Sequence, residues 1–265
     1  MRGFDHLVLA VDDLGRASDF YETLGFTVAP LAHHPFGTSN RLVQMGTTFL
    51  ELVTVTRPEL IPDAGKNDFN FPAFNRDYLS SQQGFSMLAL TSGGSDADRL
   101  EFSLKNITLY NPFEFTRLAR QPDGRDVTVG FKLTFVSGPE LLGIPVFTCH
   151  HQHAPEFFWK PDYQQHANGA RDVTSIEISS DNGTGLKSFL SELDLNEIIA
   201  GVEVIPKATG GTRYSGFTVA VDDLKKLEDI LIDNNIAHHI SPDGVNVSAV
   251  FGVDIHFIKI GNARP

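Results

Sequence analysis

Cysteine is nearly absent from this chain of 265 residues: Cys149 is the only one. No intrachain disulfide can form, which excludes a secreted scaffold stapled by disulfides. Positive charge is also scarce. Twenty-one Lys and Arg stand against 33 Asp and Glu, giving a net charge of −12 with no basic block, a balance that repels phosphate backbones and anionic bilayers. Nucleic acid and membrane are therefore not expected partners. No apolar run is long enough to cross a bilayer, and Met1 leads straight into a strand pattern without the build of a signal peptide, so a cytoplasmic protein is expected. The glycine pairs Gly93-Gly94 and Gly210-Gly211 lack the following Lys-Ser or Lys-Thr of a phosphate loop.

What is present is a repeat. Residues 4–11 are apolar and β-branched enough for a buried strand, and Asp12-Asp13 then supplies an N-cap. Leu14, Ala17, Phe20, Tyr21 and Leu24 recur at helical spacing, and Gly25 stands where a left-handed residue closes a helix. Strands are expected over 26–30, 41–45 and 48–55, after a polar loop at 33–40. The unit reads βαβββ. Near the C-terminus VAVDDLKKLEDILIDNNI repeats LAVDDLGRASDFYETLGF, with Asn235 where Gly25 falls. Asn is the other residue that readily adopts the left-handed cap.

Two weaker copies fit between these. One begins at Gly84, with a helix through Leu100 and later strands near Phe115, 129–136 and 145–150. The other begins at Val173, with a helix carrying Leu186, Phe189, Leu190 and Leu193 and later strands around 197–205. The expected fold is α+β, with four tandem βαβββ modules, the third degenerate, forming two curved mixed-sheet cups. The expected organisation is paired modules over 1–151, a connector over 152–172, and a shorter, structural pair over 173–265. A second long connector, 57–83, is rich in Pro, Asn, Asp and aromatics, and its length suits a cover over a site.

A repeated βαβββ unit with a His in its first strand and a Glu in its last resembles the vicinal oxygen chelate superfamily, and within it the glyoxalase-like domain branch. The residues that carry the resemblance are HLVLAVDDL with LGF, GTSNRL at 37–42, FLELV around Glu51, FTCHH after Pro145, and QHANGARDV at 165–173. It covers almost the whole chain. It implies a divalent metal, Fe, Mn, Ni or Zn, held in the cup of a curved sheet, and a small oxygenated substrate that chelates it. Carried over by position, it makes His6 and Glu51 metal ligands of the first unit. The second unit offers Met87, no ligand for a hard ion, at its first-strand position. Near the end of its last strand come His150 and His151.

Strand alternation lets only one of that adjacent pair face Glu51. Counting from Pro145 in the branch's pattern selects His150; a bulge would select His151, which is otherwise a candidate general base. His34, Thr38 and Asn40 belong to a loop that resembles the branch's own and are expected to touch substrate, with Trp159 and His166 walling the pocket. No second carboxylate stands in unit two to act as the base of a glyoxalase. The implied chemistry is glyoxalase-like lyase or dioxygenase-like. The competing expectation is a metal-free small-molecule-binding protein using the same cup. A homodimer through sheet edges is a further expectation.

Overall fold

The computed structural model describes residues 2–193, 202–206 and 211–261. The first module runs β1 (Phe4–Ala10), α1 (Leu14–Thr23), β2 (Ala32–His33), β3 (Thr38–Gln44) and β4 (Phe49–Val55). After a helix α2 (Phe71–Leu79), the second runs β5 (Gly84–Thr91), α3 (Ser95–Leu104), β6 (Thr108–Leu109), β7 (Phe113–Arg120), β8 (Asp126–Ser137) and β9 (Val146–His151). A one-turn helix α4 (Pro155–Phe158) leads to β10 (Ala170–Ser180), α5 (Gly183–Glu192) and β11 (Val202–Pro206). The last module is β12 (Arg213–Val221), α6 (Leu224–Asp233), β13 (His239–Ser241), β14 (Gly244–Val250) and β15 (Val253–Lys259).

Helix starts and stops are set by the residues the repeat singled out. The Asp13 carboxylate accepts from the Arg16 amide and the Asp223 carboxylate from the Lys225 amide, capping α1 and α6 alike. Gly25 takes φ +86° and Asn235 φ +54°. The next amides, of Phe26 and Ile236, reach back to the carbonyls of Tyr21 and Leu231.

Among the described residues, the first two modules build one sheet in the order β2-β3-β4-β1-β5-β9-β8-β6, with β7 also paired to β8. Last and first strands are parallel neighbours in both modules, β4 on β1 and β9 on β5, and β1 meets β5 antiparallel at the centre. The second sheet runs β11-β10-β12-β15-β14-β13. There β11 pairs parallel with β10 as β4 does with β1, so it stands in a last-strand position. Of the strands expected around 197–205, residues 197–201 lie outside the described residues.

Boundaries differ from expectation where polar strand residues turn inward. Residues 26–31 are not strand, and β3 begins at Thr38 because Thr38, Ser39 and Asn40 are buried and paired to Val55, Thr54 and Val53. β10 begins at Ala170 rather than Val173. The Asp172 carboxylate there accepts from the amides and hydroxyls of Thr47 and Thr48, tying β10 to the β3–β4 turn.

Two apolar layers result. One lies between the helices and the outer faces of both sheets and is continuous, with Phe85 of β5 stacked on Tyr214 of β12 at 4.0 Å. The other fills the cup of the first sheet. The 57–83 connector lies over that cup: Phe69 stacks on Phe135 at 4.1 Å, and Asn75 accepts from the Ser86 hydroxyl. No described helix is long and apolar enough to cross a membrane.

Candidate active site

Strand alternation decides what faces the cup. On β1, Leu7 and Leu9 join the outer layer while Val8 and Ala10 line the cup, which puts His6 on the cup side. Asp5 would ordinarily face away. The β1–β5 register shifts between Phe4 and His6, and this bulge brings Asp5 onto the face of His6. On β4, Phe49 and Glu51 face in; on β9, Phe147, Cys149 and His151 do.

His6 and Glu51 are both buried, 5% and 6% exposed. The His6 ring stacks on Phe49 at 4.4 Å, and its Nδ1 lies 2.6 Å from Asp5 Oδ1. A carboxylate only accepts, so Nδ1 carries a proton, and Nε2 makes no hydrogen bond among the described residues. It points at Glu51 Oε2, 3.8 Å away. Oε1 accepts from the Asn40 amide at 2.5 Å and lies 3.7 Å from His34 Nε2. His34 is fixed through Nδ1 by the Thr38 hydroxyl at 2.7 Å. Burial, with Arg117, His33 and His6 nearby, holds the His34 imidazole well below its usual value, so the ring is neutral.

Asp5 serves two histidines, since His151 Nε2 lies 3.1 Å from its Oδ2. Burial alone would raise this carboxyl; the hydrogen bonds from His151 and His6 outweigh it and bring it down to about 2. Cys149 behaves oppositely. Burial first, then Asp5 and Glu51, push its thiol well above the usual range, which keeps it protonated and unreactive. Arg117 projects from β7 into the cup with its guanidinium carbon 5.7 Å from the Phe131 ring centre, and burial, opposed by Glu51, lowers it to about 10. The cleft these residues enclose is otherwise aromatic, lined by Phe49, Phe115, Phe131, Phe147 and Phe158.

The structure thus brings together His6, Glu51, His34 and Asn40, with Thr38 behind His34. Trp159 packs on the far side of Phe49 at 5.7 Å, and α4 places Phe158 in the wall instead. Two expected residues are elsewhere. His150 pairs with Lys132 in a register that turns it out of the cup toward Asp96 on α3, because alternation on β9 gives the inner face to Cys149 and His151. His166 accepts the Thr27 amide at Nδ1 and donates from Nε2 to the Gln44 carbonyl, so both nitrogens are spent tying the connector to the first module. Sequence reading missed Asp5, Arg117 and Cys149. Arg117 carried a signal: it follows Phe113 and Phe115 at period two.

The module repeat also corrects the expected ligand from unit two. Glu51 pairs with Val8, two residues after His6, and the matching residue after Met87 is Ala89, which pairs with Phe147. Met87 and Phe147 therefore occupy the positions equivalent to His6 and Glu51, and neither is a metal ligand.

Donor atoms fit an ion beside His6. Two ligands at about 2.1 Å from a common ion stand at most about 4.2 Å apart, and His6 Nε2 and Glu51 Oε2 fall inside that limit at 3.8 Å. Asp5, His6 and Cys149 also offer donor atoms within 4.8 Å of one another, but on the Nδ1 side, where Asp5 is already bonded to the ring. Asp5 behind a ligating His is the usual carboxylate–histidine pairing that fixes the tautomer.

A family model described as glyoxalase-like domain matches residues 4–193. Among solved structures, a hypothetical protein from Staphylococcus aureus matches with TM-score 0.70 and 14% identity, covering 98% of this chain and 100% of that one. A mutant of 4-hydroxymandelate synthase from Streptomyces coelicolor matches with TM-score 0.56 and 12% identity, covering 100% and 95%. At these identities the likeness is one of fold. Among curated proteins none matches the chain in sequence.

Proposed function

The chain belongs to the glyoxalase-like domain family, and from that premise we propose that its N-terminal cup is the active site of an enzyme acting on a small oxygenated organic molecule, with a divalent ion between His6 and Glu51. The observation that carries this reading is that Nε2 of a buried histidine, held through Nδ1 by Asp5, faces a Glu51 carboxylate oxygen at 3.8 Å, neither atom making a hydrogen bond among the described residues. A buried carboxylate facing an imidazole nitrogen is an arrangement that a cation between them would stabilise. Fe(II), Mn(II), Ni(II) or Zn(II) would supply Lewis-acid polarisation of the substrate's oxygens there. His6 and Glu51 would hold such an ion weakly as its only protein ligands, leaving room for water or substrate oxygens.

The chain's own residues do the rest. Asn40 holds the Glu51 carboxylate in place, and the Asn40 amide in turn lies 3.3 Å from His34 Nε2. The aromatic walls, Phe49, Phe115, Phe131 and Phe158, exclude water and grip an apolar substrate body. His151, linked through Asp5 to His6, is the group at the rim that takes up or returns a proton.

Met87 and Phe147 favour a second reading, in which the same cup works without metal and His6, oriented by Asp5, is itself the base. The two separate cleanly. Ligand-induced shifts in melting temperature that need added Mn(II) or Zn(II) and vanish in chelator support the first; shifts unchanged by chelator remove it.

A further inference from the structure

Arg117 is the buried charge that the metal reading leaves unused. It is 8% exposed, and among the described residues no carboxylate lies within ion-pair distance of it. One of its N–H groups, on Nη1, donates to the Leu118 carbonyl at 3.1 Å. Its other N–H groups make no hydrogen bond among the described residues, and the side chain lines the junction of two clefts: the inner one, holding His6 and Glu51, and an outer one leading past Gln121 and Lys160. Asn40 lines the same junction. Its Nδ2 is committed to Glu51, which fixes its Oδ1 as an acceptor, and Oδ1 is buried without a partner. A buried guanidinium with spare donors and a buried amide oxygen with no donor are two halves of an unfilled recognition site.

From this juxtaposition we propose that the substrate is a monocarboxylate with an apolar body and a hydroxyl or N–H donor near the acid group, its carboxylate received by Arg117 and its donor by Asn40. The proposal rests on the cup being a small-molecule site. Planar guanidinium edges match carboxylates in paired hydrogen bonds. A phosphate dianion fits worse, because Asp5 and Glu51 already bring two carboxylates to the same cup. The outer mouth suits entry of an anion: Arg120 is neutralised by Asp126, but Lys160 is not ion-paired among the described residues, in a chain whose overall charge is −12.

Calorimetric titration with phenyllactate, its primary amide and phenyl phosphate tests this on the full chain. The acid is expected to bind at least about tenfold more tightly than the amide, and Arg117→Met to abolish that preference, weakening the acid far more than the amide. Arg117→Lys, which keeps the charge but loses the planar fork, is expected to fall between and serves if the Met variant does not fold. Equal affinity for acid and amide, tighter binding of phenyl phosphate, a preference that survives Arg117→Met, or no saturable binding of the acid overturns the proposal. Repeating the titration in chelator and in Glu51→Ala keeps the two claims apart. Acid affinity that is the same with and without chelator sinks the metal reading but not this one, which rests on the preference for acid over amide.

Discussion

Asp5 holds two histidines with one carboxylate, and that makes it the most informative residue in the cup outside the candidate ligands. Held down to about 2, it is ionised across the working pH range. Asp5→Asn keeps its size but removes the charge and puts a donor where Oδ2 accepts from His151, which weakens the hold on both rings. The variant is expected to fold normally and to bind Mn(II) or Zn(II) about 10–100-fold more weakly in a titration. Unchanged affinity would mean that Asp5 does not orient His6. His6 and Glu51 were legible in the sequence because a histidine and a carboxylate in apolar strands stand out. Asp5 was not, because alternation puts a neighbour of His6 on the opposite face and only the β1 bulge reverses that. His150, expected to face Glu51, turns away from the cup for a related reason. Counting along β9 cannot tell which of two adjacent histidines faces in until the pairing with β8 is known.

At the scale of elements, the repeat gave the cap chemistry of α1 and α6 correctly because left-handed caps need particular residues. Gly25 has a second role that no pattern could reveal. A Cβ there would lie 3.0 Å from both the Cβ and the backbone nitrogen of Asn168, at φ +86°. Gly25→Ala is expected to cost about 1–3 kcal/mol, read as a lower urea midpoint with an unchanged slope. The α3 helix is tied down by Arg2, which bonds Asp98 at 2.8 Å and Glu101 at 2.7 Å. The Arg2 hydrogen bond holds Glu101 down to about 2, below its ordinary 4.5. A carboxyl lowered on folding contributes stability above its unfolded value and loses it as pH falls toward the folded one. Glu101 is about one-third exposed, so solvent screens the pair. Glu101→Gln is expected to destabilise by under about 1 kcal/mol at pH 7, a difference that disappears between pH 4.5 and 2 in parallel denaturation series.

Over the whole molecule, the four-module plan was readable from internal repetition, whereas the joining of the two sheets was not. Periodicity marks which face of a strand is buried but not which other face covers it. The outer layer runs unbroken from α1 and β5 to β12 and α6, and the Tyr214 hydroxyl reaches the Pro145 carbonyl at 3.1 Å. The two halves should therefore unfold together. Tyr214→Ala, which removes a buried ring stacked on Phe85, is expected to cost about 3–5 kcal/mol and to lower a single calorimetric transition. Two separated transitions in the wild type would show that the halves fold independently. The first cup is also the better equipped of the two. The second cup's polar cavity, with Glu177, Glu203 and His256, has its histidine Nδ1 bonded to Asn246, and among the described residues the group with clustered donor atoms is Asp5, His6 and Cys149.

The central claim is that His6 and Glu51 share a metal ion in that first cup. Titration of metal-free protein with Mn(II) or Zn(II) under anaerobic conditions, followed by calorimetry for the wild type, His6→Ala and Glu51→Ala, tests it most directly. The account predicts one ion per chain in the wild type, with affinity lost in both variants while their folds remain intact. Absence of a stoichiometric site in the wild type, or equal binding by either variant, would contradict it.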